Sequence, residues 1–269
     1  MRVKVEARAM AMIEGLTDDA GNFLHHFLDA DEHTEDEVKT LINAFPSALS
    51  HTDTYVIHDE GEDEDEDDEP SEIFMLPIQA AVLAMTRHAI PFIRLLAEEG
   101  MKLIIDGEGQ RGGLLAEDNN GLNVLQYLAI NASAGDSMSL DVLKRLRQSD
   151  LFKKEDIRQY DFLYWSCKPS AKEVFEYLIN WDPKALKEYR YEDEPLLHAN
   201  ITDTCAIDNF AMALKAGLKH YPEELGFLFG KNDEGKTAFE FAFLNIMLKV
   251  DCFGAILRNV LMRLTMPRW

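Results

Sequence analysis

The chain has 269 residues, of which 46% are hydrophobic and 28% are charged, and its formal net charge is −22. This composition supplies a sizeable core and excludes a chain that is disordered throughout. Ten of the eleven residues at 59–69 are acidic, and the remainder of the chain is acidic as well. Because such a surface repels phosphate groups and anionic lipids, we expect neither nucleic acid nor a membrane as the partner, and we favour a basic protein.

Cysteine usage and hydropathy indicate the compartment. Cys167, Cys205 and Cys252 are odd in number and far apart, which indicates neither a disulfide framework nor a zinc site. We expect them to be buried in a reducing environment. The N-terminus has no continuous apolar stretch of the kind that a signal peptide needs, and no later stretch has 18 uncharged apolar residues. The sequence therefore predicts an intracellular monomer, cytoplasmic or nuclear.

Apolar periodicity predicts helices in pairs, after an N-terminal segment at 1–20. The first pair combines 21–28 with a helix that starts at the capping box Thr34 and Glu37 and carries an apolar stripe up to Phe45. The later pairs combine 76–81 with 91–100, 121–129 with 140–147, 162–167 with 170–179, 194–199 with 208–218, and 230–243 with 253–264. Ser170 and Glu173 form a second predicted capping box. We therefore expect an all-α solenoid of helix-loop-helix repeats over 21–269, with irregular loop insertions.

One further feature supports a repeat. Three of the predicted outer helices are followed by a proline signature with an aromatic residue just before it, at 46–49, 183–186 and 222–225.

The acidic tract at 59–72 lies between the first and second pairs of helices. Because self-repulsion and a lack of apolar residues oppose folding, we predict a disordered insertion there.

The segment Asp233 to Ala242, DEGKTAFEFA, resembles the ankyrin-repeat signature, and 118–128, 76–81 and 194–199 resemble weaker copies of it. The irregular repeats and long loops resemble the divergent ankyrin-repeat proteins found as large gene families in unicellular algae. The resemblance covers about residues 21–264. It implies a protein-protein interaction scaffold without catalysis, and structural turn roles for Gly121, Asp233, Gly235 and Thr237.

The same region permits an alternative function. Residues 230–237, GKNDEGKT, fit the phosphate-binding pattern G-x-x-x-x-G-K-[ST], and the apolar stretch Leu225 to Phe229 is a candidate for the strand that should precede it. Asp233 and Glu234 would place carboxylates inside the phosphate site, and the chain that follows is too short for the remaining strands of a nucleotide-binding sheet. A nucleotide-binding protein is therefore the alternative to a scaffold.

A second glycine pattern, G-x-G-x-x-G, covers 107–112 and follows a candidate strand at 101–106. The breaker Asn119-Asn120-Gly121 leaves no room for the long helix that a dinucleotide site needs, so we predict a loop. We expect no catalytic residue, no cofactor and no metal site, because neither histidine spacing nor a nucleophile motif supports one. The predicted partner-binding residues are Tyr189, Arg190 and Tyr191 in a loop tip, together with Arg111.

Overall fold

The computed structural model describes residues 20–57, 71–83, 87–104, 109–133, 138–188, 190–191, 194–199, 206–240 and 242. These residues are mostly helical, which confirms the predicted helical class, and they include a few short β-strands. Within these ranges the helices lack the combination of length and apolar composition that a membrane span requires. The predicted helix at 253–264, Cys205 and Cys252 lie outside the described residues.

The order of the helices follows the predicted pairs. The helices that open the pairs are α1 (Ala20–His26), α3 (Pro77–Leu83), α5 (Val124–Ser133), α8 (Phe162–Ser166) and α11 (Leu196–Ala199). The helices that complete them are α2 (Glu35–Ala44), α4 (Ile93–Leu103), α6 (Met138–Gln148), α9 (Lys172–Trp181) and α12 (Ala206–His220). Helices α7 (Asp156–Gln159) and α10 (Ala185–Glu188) lie in connections, and 3-10 helices cover Pro46–Ser50, Arg87–Phe92, Pro169–Ala171 and Pro222–Phe227.

Helix α2 begins at the predicted capping box. Thr34 Oγ1 accepts a hydrogen bond from Glu37 N (3.3 Å), and a Glu37 carboxylate oxygen accepts one from Thr34 N (2.8 Å). These two bonds occupy backbone donors that the first turn of a helix leaves without intrahelical partners. Val38, Leu41 and Ile42 then form the buried face. The prediction from local sequence is confirmed for this helix.

The second predicted capping box, Ser170 with Glu173, is wrong. Pro169–Ala171 forms a 3-10 turn, and α9 begins at Lys172 with Ala171 at its N-cap and without a side-chain capping bond. Proline is favoured at the start of a helical turn, and here it starts the 3-10 turn ahead of the α-helix.

Helices α2, α9 and α12 end in the same way, with one residue between the helix and a proline. The residues after them, Phe45, Asp182 and Tyr221, have φ between −135° and −129° and ψ between 61° and 81°. A residue before proline is forced out of the helical region by the proline ring, so the helix ends there. Ala48, Leu49, Ala185 and Leu186 are buried after the first two prolines. The third copy differs, because Leu225 has a φ of 50° and Gly226 is the buried residue.

The contacts divide the chain into two compact units, Met1–Leu128 with Met138–Phe152 and Ala129–Ser137 with Lys153–Trp269. The predicted domain at 21–269 spans both. In the first unit α1 contacts α3, and the longer helices pack in the order α2, α4, α6. In the second unit α8 contacts α9 and α11, and α11 contacts α12. Within each unit, successive opening helices therefore pack on one another.

A charged side chain links the three long helices of the first unit. Glu35 on α2 forms ion pairs with Arg94 on α4 (2.7 Å) and with Arg145 on α6. Arg94 also pairs with Glu98, one turn further along α4 (2.6 Å). Because these groups are partly exposed to solvent, each pair contributes at most about 1 kcal/mol. The pairs therefore connect the three helices with little gain in stability.

The acidic insertion is bounded by an antiparallel β-hairpin. Strand β1 (Asp53–Ile57) pairs with β2 (Ser71–Met75), and Ile57 lies opposite Ser71. Ile73 and Met75 are buried while Phe74 between them is 53% exposed, the alternation expected of a strand with one buried face. Ser71 and Glu72, predicted to belong to the disordered insertion, are strand residues. Residues 58–70 lie outside the described part of the chain.

Candidate functional site

Two loops in the chain have closely similar backbone conformations. At 111–113 the φ angles are 50°, 68° and 87°, and at 225–227 they are 50°, 62° and 68°. Three successive residues in the left-handed region are unusual, because a side chain there approaches the following carbonyl group. Each residue of the second series follows its counterpart in the first by the same number of residues. The same offset relates the turns and helix starts that follow each loop.

Each loop packs its central glycine on the backbone of the preceding long helix. A Cβ atom on Gly112 would lie 2.2 Å from the Ala97 carbonyl oxygen of α4, and a Cβ on Gly100 would lie 2.6 Å from the Gly112 oxygen. In the second loop, a Cβ on Gly217 of α12 would lie 2.7 Å from the Gly226 oxygen. Both contacts are too close for any side chain. Glycine is therefore required on both sides of each contact.

A tight turn follows the first loop and is organised by Asp118. Its N–H donates to the Leu122 carbonyl (3.0 Å), and its Oδ1 accepts from the Leu122 N–H (3.0 Å). Gly121, with a φ of 72°, donates its N–H to the Asp118 carbonyl (2.9 Å). Asp118 Oδ2 accepts a hydrogen bond from the Tyr127 hydroxyl (2.5 Å).

The second turn has the same bonds around Asn232. The Asn232 N–H donates to the Lys236 carbonyl (2.9 Å), and Asn232 Oδ1 accepts from the Lys236 N–H (3.0 Å). Gly235, with a φ of 77°, donates to the Asn232 carbonyl (2.9 Å). Asp233, predicted as a turn residue, lies exposed at the next position, so Asn232 supplies the side chain that closes the turn.

The difference between Asp118 and Asn232 follows from their surroundings. Asp118 Oδ2 accepts from the hydroxyl of Tyr127, whereas the corresponding atom of Asn232, Nδ2, donates to Glu194 Oε1 (2.9 Å). An aspartate at position 232 would bring two carboxylates together, which is unfavourable for both. The position equivalent to Tyr127 is Phe241 in the sequence, which has no hydroxyl.

The helix that follows each turn opens with a reciprocal box. Thr237 Oγ1 accepts from the Glu240 N–H (3.1 Å), and Glu240 Oε2 accepts from the Thr237 N–H (2.8 Å). Asn123 and Gln126 exchange the equivalent bonds at 3.1 and 2.9 Å. At α3, half of the box is present, with Gln79 accepting from the Leu76 N–H (2.7 Å). The amide side chains of Gln126 and Gln79 and the carboxylate of Glu240 thus cap the starts of their helices.

Three polar side chains on the opening helices also contact a backbone carbonyl group that lies outside their own pair of helices. His25 Nε2 lies 3.0 Å from the His51 carbonyl oxygen, Gln79 Nε2 donates to the Ala116 carbonyl (3.0 Å), and His198 Nε2 lies 3.0 Å from the Lys236 carbonyl oxygen. All three side chains are buried. Burial lowers the pKa of His25, which favours its neutral form. Each contact ties a helix to a distant loop within its own unit.

The hydrogen bond between Tyr127 and Asp118 leads to a prediction on pH. Burial, followed by the bond to Asp118, raises the pKa of Tyr127 above its ordinary value of 10.0. The unfolded chain therefore loses this proton first, and the associated stability is present below pH 10 and is lost as the pH rises beyond it. Between wild type and Tyr127→Phe, the free energy of unfolding should differ in slope by about 1.4 kcal/mol per pH unit in that range. Urea titrations between pH 8 and about pH 11.5 measure the slope. Parallel plots of the free energy of unfolding against pH for the two proteins would contradict the prediction.

The observed turn does not have the geometry of a phosphate-binding loop. The N–H groups of Asn232, Gly235, Lys236 and Thr237 all donate to protein acceptors, whereas a phosphate site needs such groups to point at the ligand. The stretch 225–229 is a 3-10 helix and a turn, not the strand that the motif requires. Lys236 Nζ pairs with Glu234 (2.6 Å) on the exposed surface. This geometry gives no support to the nucleotide alternative.

Replacing Lys236 with alanine tests this interpretation. Because the lysine side chain is exposed and pairs only with a neighbouring exposed carboxylate in the described structure, the midpoint of urea unfolding should not change. Titration of the wild-type protein with labelled ATP and magnesium should show no saturable binding that the substitution abolishes. Micromolar binding lost in Lys236→Ala would establish the nucleotide function.

The second glycine pattern lies at the end of α4. The candidate strand at 101–106 is helical in its first half, because α4 continues through Leu103 and ends at Ile104, which has a φ of 54°. Gly107 and Glu108 lie outside the described residues. Gly112 belongs to the left-handed loop that packs on α4, so this glycine of the pattern allows close backbone packing.

The predicted partner-binding residues occupy two places. Arg190 and Tyr191 form strand β3 (Arg190–Tyr191), which pairs with β4 (Glu194–Pro195), so the predicted loop tip is a small β-hairpin. Tyr189 lies outside the described residues. Arg111 lies in the first left-handed loop and donates from Nη1 to the Leu151 carbonyl (2.9 Å), which ties that loop to the end of α6.

Sequence reasoning missed the residues that make the two loops alike. The equivalence of Gly112 with Gly226, and of Asp118 with Asn232, is not visible in the helix openings from which the repeat was predicted. The available signal was the constant offset that relates these pairs and also relates Asn123 to Thr237. A comparison of the chain with itself at that offset would have found it.

Comparison of the chain with protein-family models, with curated proteins and with solved structures gave no match.

Proposed function

We propose that this chain is a non-catalytic protein-protein interaction scaffold, built as a solenoid of ankyrin-like helical repeats, whose partner is a basic protein. The observation that carries the proposal is the repeated series of left-handed loop, glycine turn and capped helix at 111–126 and 225–240. Repetition of one supersecondary unit is typical of proteins that present an extended binding surface.

The local hydrogen bonds make these loops suitable for binding. Their backbone groups are bonded within the turn, and their central glycines are packed on a long helix. A loop that is ordered before it binds loses little conformational entropy on association. The turn residues Asn119, Asn120, Asp233 and Glu234 are exposed, and a partner that contacts them would meet a turn that is already ordered.

Charge supplies the reason for a basic partner. The formal net charge is −22, and the acidic residues at 59–69 connect the two strands of the first β-hairpin. Ile57 and Ser71, which flank this acidic segment in the sequence, pair with each other. Concentrated negative charge accelerates the encounter with a positively charged protein, and salt reduces the effect. In this proposal Tyr189, Arg190 and Tyr191 add contacts with the partner.

Association kinetics test the role of the acidic segment. The probe is a lysine- and arginine-rich peptide, and the variant replaces the ten acidic residues at 59–69 with Asn and Gln. We expect the variant to associate at least about tenfold more slowly at low salt, and the difference to shrink as salt screens the charges. Stopped-flow fluorescence measures both rates.

Two controls separate charge from other effects. An acidic peptide of equal length should not bind, and a variant with Tyr189 and Tyr191 replaced by alanine should change the dissociation rate more than the association rate. Equal association rates for the wild type and the neutral variant at both salt concentrations would remove the acidic segment from the proposal. Failure of the basic peptide to bind either protein would contradict the proposal that the partner is basic.

A further inference from the structure

Three side chains with metal-binding atoms meet in the first unit. Asp29 and Asp31 lie in the loop between α1 and α2, and His88 lies in the 3-10 helix that precedes α4. One atom from each, a carboxylate oxygen or an imidazole nitrogen, lies within 4.8 Å of the other two. His88 is far from both aspartates in sequence, so no motif could reveal this cluster.

Backbone hydrogen bonds hold the two segments together. Ala30 donates its N–H to the His88 carbonyl (3.0 Å), which places the imidazole beside the loop. Within the loop, Asp31 N donates to Asp29 Oδ1 (2.8 Å) and His33 N donates to the Asp29 carbonyl (2.7 Å). The positions of the three side chains are therefore set by the fold, not by their own mutual attraction alone.

The distances between the donor atoms agree with those around a bound ion. His88 Nδ1 lies 2.9 Å from Asp31 Oδ2 and 3.5 Å from Asp29 Oδ1. Zinc bonds of 2.0–2.2 Å place neighbouring ligand atoms about 2.9–3.6 Å apart in octahedral or tetrahedral geometry. The two separations that involve His88 are therefore in the range found around a bound ion, and the two carboxylate oxygens lie within 4.8 Å of each other.

We propose that Asp29, Asp31 and His88 form a surface binding site for a divalent transition-metal ion such as Zn²⁺, with water completing the coordination. The imidazole nitrogen distinguishes this site from the many carboxylates elsewhere, because Mg²⁺ and Ca²⁺ prefer all-oxygen ligands and zinc accepts nitrogen. A bound ion would join the loop after α1 to the segment before α4. It would therefore stabilise the first unit.

Calorimetric titration of the full chain with Zn²⁺ tests the site. The acidic segment at 59–69 also attracts cations, so millimolar Mg²⁺ is included to occupy oxygen-only sites. We expect wild type to bind one Zn²⁺ with micromolar affinity. Both His88→Ala and Asp31→Asn should weaken this binding at least about tenfold, since even the outer-shell partners of a metal contribute 10–100-fold.

The matched control is His220→Ala, which removes a partly exposed histidine from the second unit and should leave Zn²⁺ binding unchanged. Thermal unfolding is the second readout: Zn²⁺ should raise the midpoint of wild type and not that of His88→Ala. Asp31, whose side chain is 79% exposed, provides a variant that does not affect folding if His88→Ala is unstable. Identical titrations of wild type and both site variants would overturn the proposal and leave only an ion pair between His88 and Asp31.

Discussion

Replacing Gly112 with alanine should lower the free energy of unfolding by about 2–5 kcal/mol, from backbone strain of about 1–2 kcal/mol and overpacking of about 1–3 kcal/mol. Gly112 has a φ of 68°, and its added Cβ would lie 2.2 Å from the Ala97 carbonyl oxygen and 2.6 Å from the Met101 nitrogen. Both atoms belong to the backbone of α4, so no side-chain movement relieves the clash. The loop and the helix must separate. Urea unfolding followed by circular dichroism measures the loss.

Gly121→Ala is the matched control. Gly121 has a φ of 72°, close to that of Gly112, but an added Cβ would meet no atom within 4 Å. This variant should lose only the strain contribution, about 1–2 kcal/mol. The second copy provides a replicate, because a Cβ on Gly226 would lie 2.7 Å from the Leu218 nitrogen. Equal losses in Gly112→Ala and Gly121→Ala would show that close packing on α4 contributes nothing.

Exchanging Asp118 and Tyr127 for Asn and Phe, the pair at the equivalent positions of the second turn, should cost less together than separately. Tyr127→Phe removes the donor from a buried carboxylate oxygen and should cost about 1–3 kcal/mol. Asp118→Asn keeps the acceptor for the turn N–H groups but weakens a charge-assisted bond, at about 1–2 kcal/mol. In the double variant no buried carboxylate lacks its donor, so the interaction energy should reach about 0.5–3 kcal/mol.

The measurement is a double-mutant cycle by urea unfolding at neutral pH. Asp118→Ala is the control that removes the turn acceptor itself and should cost more than Asp118→Asn, because the N–H groups of Asn120 and Leu122 lose their partner. Strict additivity of Asp118→Asn and Tyr127→Phe would show that the hydroxyl and the carboxylate act independently, and would contradict the explanation of the difference between the two turns.

Features fixed by neighbouring residues were predictable from the sequence. The capping box at Thr34 and Glu37 was predicted from spacing alone because each partner bonds within one helical turn. The helix ends before Pro46, Pro183 and Pro222 follow from the restriction that proline imposes on the residue before it. The turns at Gly121 and Gly235 could be located because glycine readily adopts a positive φ, and both glycines have one.

Other features depended on contacts between distant residues. The pairing of β1 with β2 joins strands across an acidic segment that suggested only disorder, and the pairing is stabilised by the burial of Ile73 and Met75. Arg111 and Leu225 adopt a positive φ although neither is glycine. Nothing local favours that conformation, and the packing of the adjacent glycine on a long helix compensates for it.

The candidate sites divide in the same way. The sequence by itself determined the order of the helices, the cap of α2, the helix ends before prolines and the acidic character of the chain, because these depend on spacing and composition. Only the tertiary structure decided that the N–H groups of Asn232, Gly235, Lys236 and Thr237 donate to protein acceptors, and that Asp29 and Asp31 face His88. Hydrogen-bond partners and donor-atom distances are set by how separate segments pack, and a linear pattern contains no information on that packing.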